Sequence, residues 1–310
     1  PQVGVSYCYV RSPVNHLYLV LGELAVVADL SLSSNHPENL QQRGAVHLQR
    51  SLKDKVAMMS RLQKALDTDE FILLVQPVRG LRGDCYHEVL LRMPDTNGIL
   101  ISPDQFLPVA QEFGLSSRVD LWVLEHTLRF LAAHRERLPG QRFAINLAPS
   151  TVCRVQFPLE VSRVLAKYAI EPWQLIFEVT ECSNFCNAEQ ALHILSQLQK
   201  MGVRIAIDDF GTGHSALIYL EHFTMDYLKI DRGFVNAIGT ETVTSPVLDA
   251  VLTLARRLNI STVAEGVETP EQAAWLREHG VNFLQGYWIS RPMPLAQFRE
   301  WRPDISPEGD

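Results

Sequence analysis

Apolar residues recur at helical spacing from about Gln49 to Leu66. Val56, Met59, Leu62 and Leu66 share one face, so the pattern predicts an amphipathic helix. The period then changes. "FILLVQPV" (Phe71–Val78) and "YHEVLLRM" (Tyr86–Met93) are strand-like, and the Gly80/Gly83 turn between them suits a hairpin. Two helices are expected next, near Pro103–Phe113 and Arg118–Arg135.

A regular alternation follows. "RFAINL" (Arg142–Leu147) predicts a strand and Pro158–Tyr168 a helix. "LIFEVTE" (Leu175–Glu181) predicts a strand and Ala188–Met201 a helix. "RIAID" (Arg204–Asp208) predicts a strand and Ser215–Glu221 a short helix. "YLKID" (Tyr227–Asp231) predicts a strand and Ser245–Leu258 a helix. "STVAEGVE" (Ser261–Glu268) reads as a strand and loop, Pro270–His279 as a helix, and "VNFLQGYWIS" (Val281–Ser290) as the last strand. Strands apolar on both faces, alternating with helices, imply a parallel sheet. Eight strands over about 230 residues fit a closed barrel better than an open sheet. No G-x-G-x-x-G follows any strand, which lowers the dinucleotide-binding alternative. The expected fold is therefore α/β: a TIM-like (β/α)8 barrel with one antiparallel strand, contributed by the opening hairpin. The expected organisation is an N-terminal segment over 1–45, the end of an upstream domain or a linker, then a barrel over 46–305 and a tail over 306–310.

Composition narrows the function classes. The 310 residues carry a net charge of −7, so no general basic surface exists to hold duplex nucleic acid by its phosphates. A local basic pocket for a small phosphate ligand is still compatible. The five cysteines are odd in number and the chain is long, which argues against a disulfide framework. Cys182 and Cys186 have no second Cys or His pair to complete a zinc site. Reduced thiols and a cytoplasmic domain are expected. "LYLVLGELAVVADLSL" (Leu17–Leu32) is interrupted by Glu23 and Asp29 and lacks a basic flank, a poor membrane span and a poor signal peptide. The start at Pro1 suggests a fragment or a processed end, with any membrane anchor upstream.

In such a barrel the active site lies at the C-terminal ends of the strands. The polar residues falling there are Glu88 and Arg92, Asn146, Glu178 and Glu181, Asp208 and Asp209, Lys229 and Asp231, Glu265 and Glu268, and Gln285. Each alone suits a solvated or helix-capping side chain. Together they change the picture, because carboxylates crowded in one mouth cannot all ionise without cations. Asp208 and Asp209 raise this most sharply, as adjacent like charges. Oxygen ligands with one Asn and no Cys or His suit Mg²⁺ or Mn²⁺. Adjacent aspartates can serve two ions, as in two-metal phosphoester hydrolysis with ions about 3.5–4 Å apart.

"EVLLR" (Glu88–Arg92), "INLAPS" (Ile145–Ser150), "FEVTE" (Phe177–Glu181), "IDDFGTGHSAL" (Ile207–Leu217), "YLKID", "VAEGVET" (Val263–Thr269) and "LQGYWISRPMP" (Leu284–Pro294) occur in this order. The set resembles the EAL domain, the bacterial cyclic di-GMP phosphodiesterase module, over about Leu52 to Trp301. The resemblance implies hydrolysis of cyclic di-GMP to linear 5′-pGpG by a two-metal mechanism. It implies that Glu88, Asn146, Glu178, Asp208, Asp209 and Glu265 hold one or two Mg²⁺ or Mn²⁺ ions. Lys229 would position or deprotonate the attacking water, with Glu88, Asp209 and Glu265 sharing the catalytic work. Gln76, Leu90, Arg92, Asp231 and Gln285 would contact substrate, and Gln285 would also complete the metal and water shell. Phe210, Gly211, Thr212, Gly213 and Glu268 would form the family's loop six, which couples the site to a homodimer contact. An upstream sensor or GGDEF domain is the implied neighbour.

Three departures from the family pattern stand out. Val89 replaces the name-giving Ala, which adds two methyls and no charge. His214 stands where an aromatic such as Tyr is common. Residues 1 to about 45 match no named pattern. The competing expectations are a cyclic di-GMP receptor without turnover and a protein-interaction module that has lost the ligand. Either would be signalled by missing carboxylates or a missing Lys, and all are present.

Overall fold

Strands β1 (Ile72–Gly80) and β2 (Cys85–Pro94) form an antiparallel hairpin with Gln76 opposite Glu88 and Val78 opposite Tyr86. The turn closes through Gly83, whose φ of +93° is open to a residue with no Cβ. The computed structural model describes residues 39–180, 187–210, 225–238 and 244–298; of these, the side chains of 39–52, 209, 244 and 245 are not described. The short β3 (Leu100–Ile101) lies antiparallel on the end of β2.

From β2 the sheet continues through parallel neighbours. These are β4 (Phe143–Leu147), β5 (Leu175–Thr180), β6 (Arg204–Phe210), β7 (Tyr227–Ile230), β8 (Ser261–Ala264) and β9 (Phe283–Leu284). Strand β9 then pairs antiparallel with β1, which closes the barrel. A final short strand, β10 (Met293–Pro294), adds to the other part of β1. The result is a closed eight-stranded barrel in which β1 alone runs against its neighbours, as the hairpin pattern predicts.

Two compact units partition the chain, one of residues 1–70 with 102–115 and one of residues 71–101 with 116–310. The first contains α1 (Asn39–Asp67) and α2 (Pro103–Glu112), joined by an ion pair between Lys55 and Glu112 at 2.8 Å. Helix α1 begins ten residues before the expected Gln49, because "NLQQRGAVHL" lacks the apolar spacing that marks the rest.

The barrel unit carries α3 (Ser116–Ala133), α4 (Pro149–Val152), α5 (Phe157–Tyr168), α6 (Ala188–Lys200), α7 (Arg232–Asn236), α8 (Thr244–Arg257), α9 (Pro270–Glu278) and α10 (Leu295–Phe298). Helix α9 starts with Pro270 and a reciprocal Thr269/Gln272 cap, which satisfies backbone N–H groups that have no intrahelical partner. Leu248 and Leu252 of α8 and Ala273 and Leu276 of α9 pack with Ile230, Ala264 and Leu284 of the barrel wall in one buried cluster. Each leucine buried there contributes about 1.5–3 kcal/mol. The sequence pattern does not predict α4, α7 or α10, each too short for a periodic signal. The expected Ser215–Glu221 helix lies outside the described residues.

The last strand is shorter than expected. Only Phe283 and Leu284 pair, and the chain turns at Gly286, where φ is +156°. A Cβ there would fall inside van der Waals contact with the Val267 backbone N and O. Glycine permits the close approach, so Gln285 and Trp288 exchange backbone hydrogen bonds with Val267.

Candidate active site

The strand pairings stack inward-facing residues into layers of four drawn from alternate strands, as barrel closure requires. The lowest holds Tyr86, Ile176, Tyr227 and Phe283. Above it come Val78, Ala144, Ala206 and Val263. These eight form one buried cluster that plugs the barrel. Two residues further along each strand, or two back on the antiparallel β1, the inward positions all become polar. Glu88, Glu178, Lys229 and Gln285 make the third layer, and Gln76, Asn146, Asp208 and Glu265 the fourth. Period-two alternation thus sends one polar side chain per strand into the same mouth.

Lys229 is the hub. Its ammonium lies 2.7 Å from Glu178 Oε2, 2.6 Å from Glu265 Oε1, 3.3 Å from Asp208 Oδ1 and 3.6 Å from Glu88 Oε2. A polar chain braces Glu88 from the other side. Asn146 Nδ2 donates to Glu88 Oε1 at 2.8 Å, and Gln285 Nε2 donates to Glu88 Oε2 at 2.5 Å. Gln285 Nε2 also donates to Gln76 Oε1 at 3.1 Å, and Gln76 Nε2 to the Ser290 carbonyl at 3.0 Å.

The protonation states follow. Burial opposes charge on Lys229, yet Asp208, Glu178, Glu265 and Glu88 overcome it and hold the amine well above its ordinary pKa. Burial pushes Glu178 well up, opposed by Lys229. Burial and the neighbouring Asp208 and Glu88 raise Glu265 to about 7 despite Lys229. Glu88 is lowered, because Lys229 and the Gln285 and Asn146 donors outweigh its burial.

The donor set suits a hard divalent cation. One ammonium cannot neutralise four carboxylates, and Glu178 Oε1 is buried without a hydrogen-bond partner. The ligands on offer are all oxygen. Among the described residues, however, no three His, Cys, Asp or Glu side chains stand around a common point as a ready cage. The carboxylates face Lys229 Nζ instead, so an ion would draw oxygens away from the ammonium.

The remaining sequence-derived residues are less concentrated. Arg92 and Leu90 continue the inward face of β2 toward its end and are half-buried; Arg92 donates to the Leu91 carbonyl at 2.8 Å. Asp231 follows β7 and caps α7, accepting from the Gly233 N–H at 2.8 Å. Phe210 is buried and pairs with Ile230 across a bulge. Glu268 is exposed, and its N–H donates to Gln272 Oε1. Asp209 lies on β6, but its side chain is not described. Glu181, Gly211, Thr212, Gly213 and His214 lie outside the described residues. Val89 is buried and alternates to the opposite side of β2 from Glu88, so its extra methyls face away from the mouth.

Three supporting residues escaped the sequence reading. Asp120 of α3 is buried and accepts from the Ala148 N–H at 2.9 Å and the Thr151 hydroxyl at 2.5 Å, bracing the turn just after Asn146. A carboxylate inside the apolar run "VDLWVL" was the available signal. Arg142 and Arg204 both donate to the Tyr227 hydroxyl, at 2.7 and 2.8 Å, at the closed end of the barrel. Among the described residues no helix is long and apolar enough to cross a membrane.

A family model described as the EAL domain matches residues 59–292. The chain belongs to the EAL domain family. This EAL domain is 55% identical over 295 residues to cyclic di-GMP phosphodiesterase PdeF of Escherichia coli, covering 95% of this chain and 40% of that protein. It is 36% identical over 285 residues to MucR of Pseudomonas aeruginosa, named a bifunctional diguanylate cyclase/cyclic di-GMP phosphodiesterase, covering 89% of this chain and 41% of that protein. The chain thus spans less than half the length of these relatives. Among solved structures, the PaMucR phosphodiesterase in its c-di-GMP complex superposes with a TM-score of 0.73 at 37% identity, covering 78% of this chain and 99% of that one.

Proposed function

We propose that this EAL domain hydrolyses cyclic di-GMP to linear 5′-pGpG, using Mg²⁺ or Mn²⁺. The observation that carries it is the convergence of eight polar side chains, one per strand, at the C-terminal mouth of the barrel. The names of the close relatives support the same activity.

Glu88, Asn146, Glu178 and Asp208 would hold a first ion, with Asp208, Asp209 and Glu265 serving a second. Bound divalent ions lower the pKa of water and neutralise phosphate charge. Lys229, an ammonium among four carboxylates, suits orientation of the nucleophile and stabilisation of developing charge better than proton abstraction. Gln285 and Gln76 orient Glu88 and line the floor of the substrate site. Arg92 and Leu90 stand on the same face of β2, where a guanidinium would meet a phosphate and a leucine would meet a base. Asp231 joins them at the rim.

We further propose a homodimer formed near loop six (Phe210–Gly213 and Glu268), an upstream sensor or GGDEF domain, and a cytoplasmic location for this domain. The relatives' greater length supports the second.

The test is hydrolysis of cyclic di-GMP by purified protein with Mg²⁺ or Mn²⁺, against an EDTA control. Metal-dependent release of 5′-pGpG is expected. Tight binding without product would favour the receptor reading, for which one feature speaks: the described carboxylates are turned onto Lys229 rather than into a ready cage.

A further inference from the structure

Besides Gln285 Oε1, two polar atoms deep inside the barrel have no hydrogen-bond partner: the Tyr86 hydroxyl and Glu178 Oε1. Both side chains are 0% exposed. Buried polar atoms are nearly always paired, with protein or with ordered water. Glu178 Oε2 is taken by Lys229, which leaves Oε1 directed elsewhere. Beneath Glu178 the flanking strands β4 and β6 present Ala144 and Ala206, the smallest side chains of the second layer. Tyr86 sits one layer lower, on β2 beside β4, and its ring packs against Tyr227 and Phe283 with centroids 5.4 and 5.6 Å away. Those two rings pack against Tyr86, and the alanines put little bulk in the layer between it and Glu178. Glu178 is accordingly the charged group that acts most strongly on it. The companion phenol differs: Tyr227 is already bound to Arg142 and Arg204.

We propose that a buried water bridges the Tyr86 hydroxyl to Glu178 Oε1, which makes Tyr86 a positioning residue for the Glu178 carboxylate. Tyr86 donates its proton to the water, and the water donates to Oε1. Glu178 is then held at both oxygens, by Lys229 from one side and by the water from below. Each carboxylate oxygen has two acceptor sites, so Oε1 keeps one for an ion in the mouth. Partners of metal ligands commonly change metal affinity by about 10–100-fold when removed. That consequence rests on the proposed metal site; the water does not.

Two measurements test this. A high-resolution crystal structure of the metal-free protein should show a water within about 3.2 Å of both Tyr86 Oη and Glu178 Oε1. Its absence overturns the bridge. Tyr86→Phe keeps the ring packing, so its melting temperature should stay close to wild type, while its Mn²⁺ dissociation constant by calorimetry should rise about tenfold. A rise of threefold or more supports the positioning role; a smaller one overturns it. If the unmutated protein takes up no Mn²⁺, the metal proposal falls, and the crystallographic water alone decides the bridge.

Discussion

Lys229 Nζ lies 2.7 Å from Glu178 Oε2, and both side chains are fully buried. A buried ion pair is costly to form and more costly to break, about 3–5 kcal/mol when one partner is removed. Half-buried Glu265 and Asp208 and buried Glu88 share the same ammonium, so removing Lys229 leaves these carboxylates too without their cation.

Lys229→Ala should therefore lower the melting temperature in EDTA, and millimolar Mg²⁺ or Mn²⁺ should restore most of it. Turnover of cyclic di-GMP should fall by about 10²–10⁴-fold, while its affinity in the presence of metal changes little. Thermal melts with and without metal, beside product formation and calorimetry, check this. Near wild-type turnover would leave Lys229 a structural ion-pair partner.

Glu88→Gln should weaken both metal and nucleotide binding. The substitution places an amide where Asn146 and Gln285 already point donors, so one N–H faces another. Loss of a ligand charge and this mismatch should raise the Mn²⁺ dissociation constant by at least about tenfold. Unaltered Mn²⁺ binding would remove Glu88 from the proposed ligands.

Val89→Ala, which restores the family's signature residue, should leave turnover within about threefold, because Val89 faces away from Glu88. Stability should fall by about 1–2 kcal/mol for the two buried methyl equivalents. Steady-state kinetics and urea denaturation separate the effects. A large gain in turnover would show that the outer face of β2 controls the mouth.

Two buried groups give stability opposite slopes with pH. Burial raises Asp120 to about 7 from an ordinary 3.8, although the Thr151 and Ala148 donors oppose it. The folded state then keeps a proton the unfolded state has released, so this contribution weakens as pH rises from 3.8 to about 7, by at most about 4 kcal/mol. Burial between Phe143 and Phe298 lowers His87 to about 4 from 6.5. Its contribution strengthens as pH rises from about 4 to 6.5. Urea denaturation from pH 4 to 8 should show a decline as pH approaches 7 that Asp120→Asn makes shallower, the remainder belonging to Glu265, which burial also raises to about 7. An undiminished decline in the variant would remove Asp120 from it.

Much of this was legible in the sequence because it depends on short-range period. Alternating apolar runs mark β1, β2 and β4–β8, and the same alternation marks Glu88, Asn146, Glu178, Asp208, Lys229, Glu265 and Gln285 as strand-end polar residues. Ordered motifs gave the family, since each motif carries its own chemistry. What the sequence could not carry was the stagger between strands. Barrel closure decides that Lys229, rather than a neighbour, stands among Glu88, Glu178, Asp208 and Glu265, and that Gln76 of the reversed strand reaches Gln285. It decides that Tyr86 stands in the lowest layer, two below the layer of Glu178, and that Asp120 of α3 braces the turn after Asn146. These contacts join residues from 21 to 209 positions apart. Their geometry is set by closing a twisted sheet on itself, a constraint that acts on all eight strands together and on no local stretch of chain.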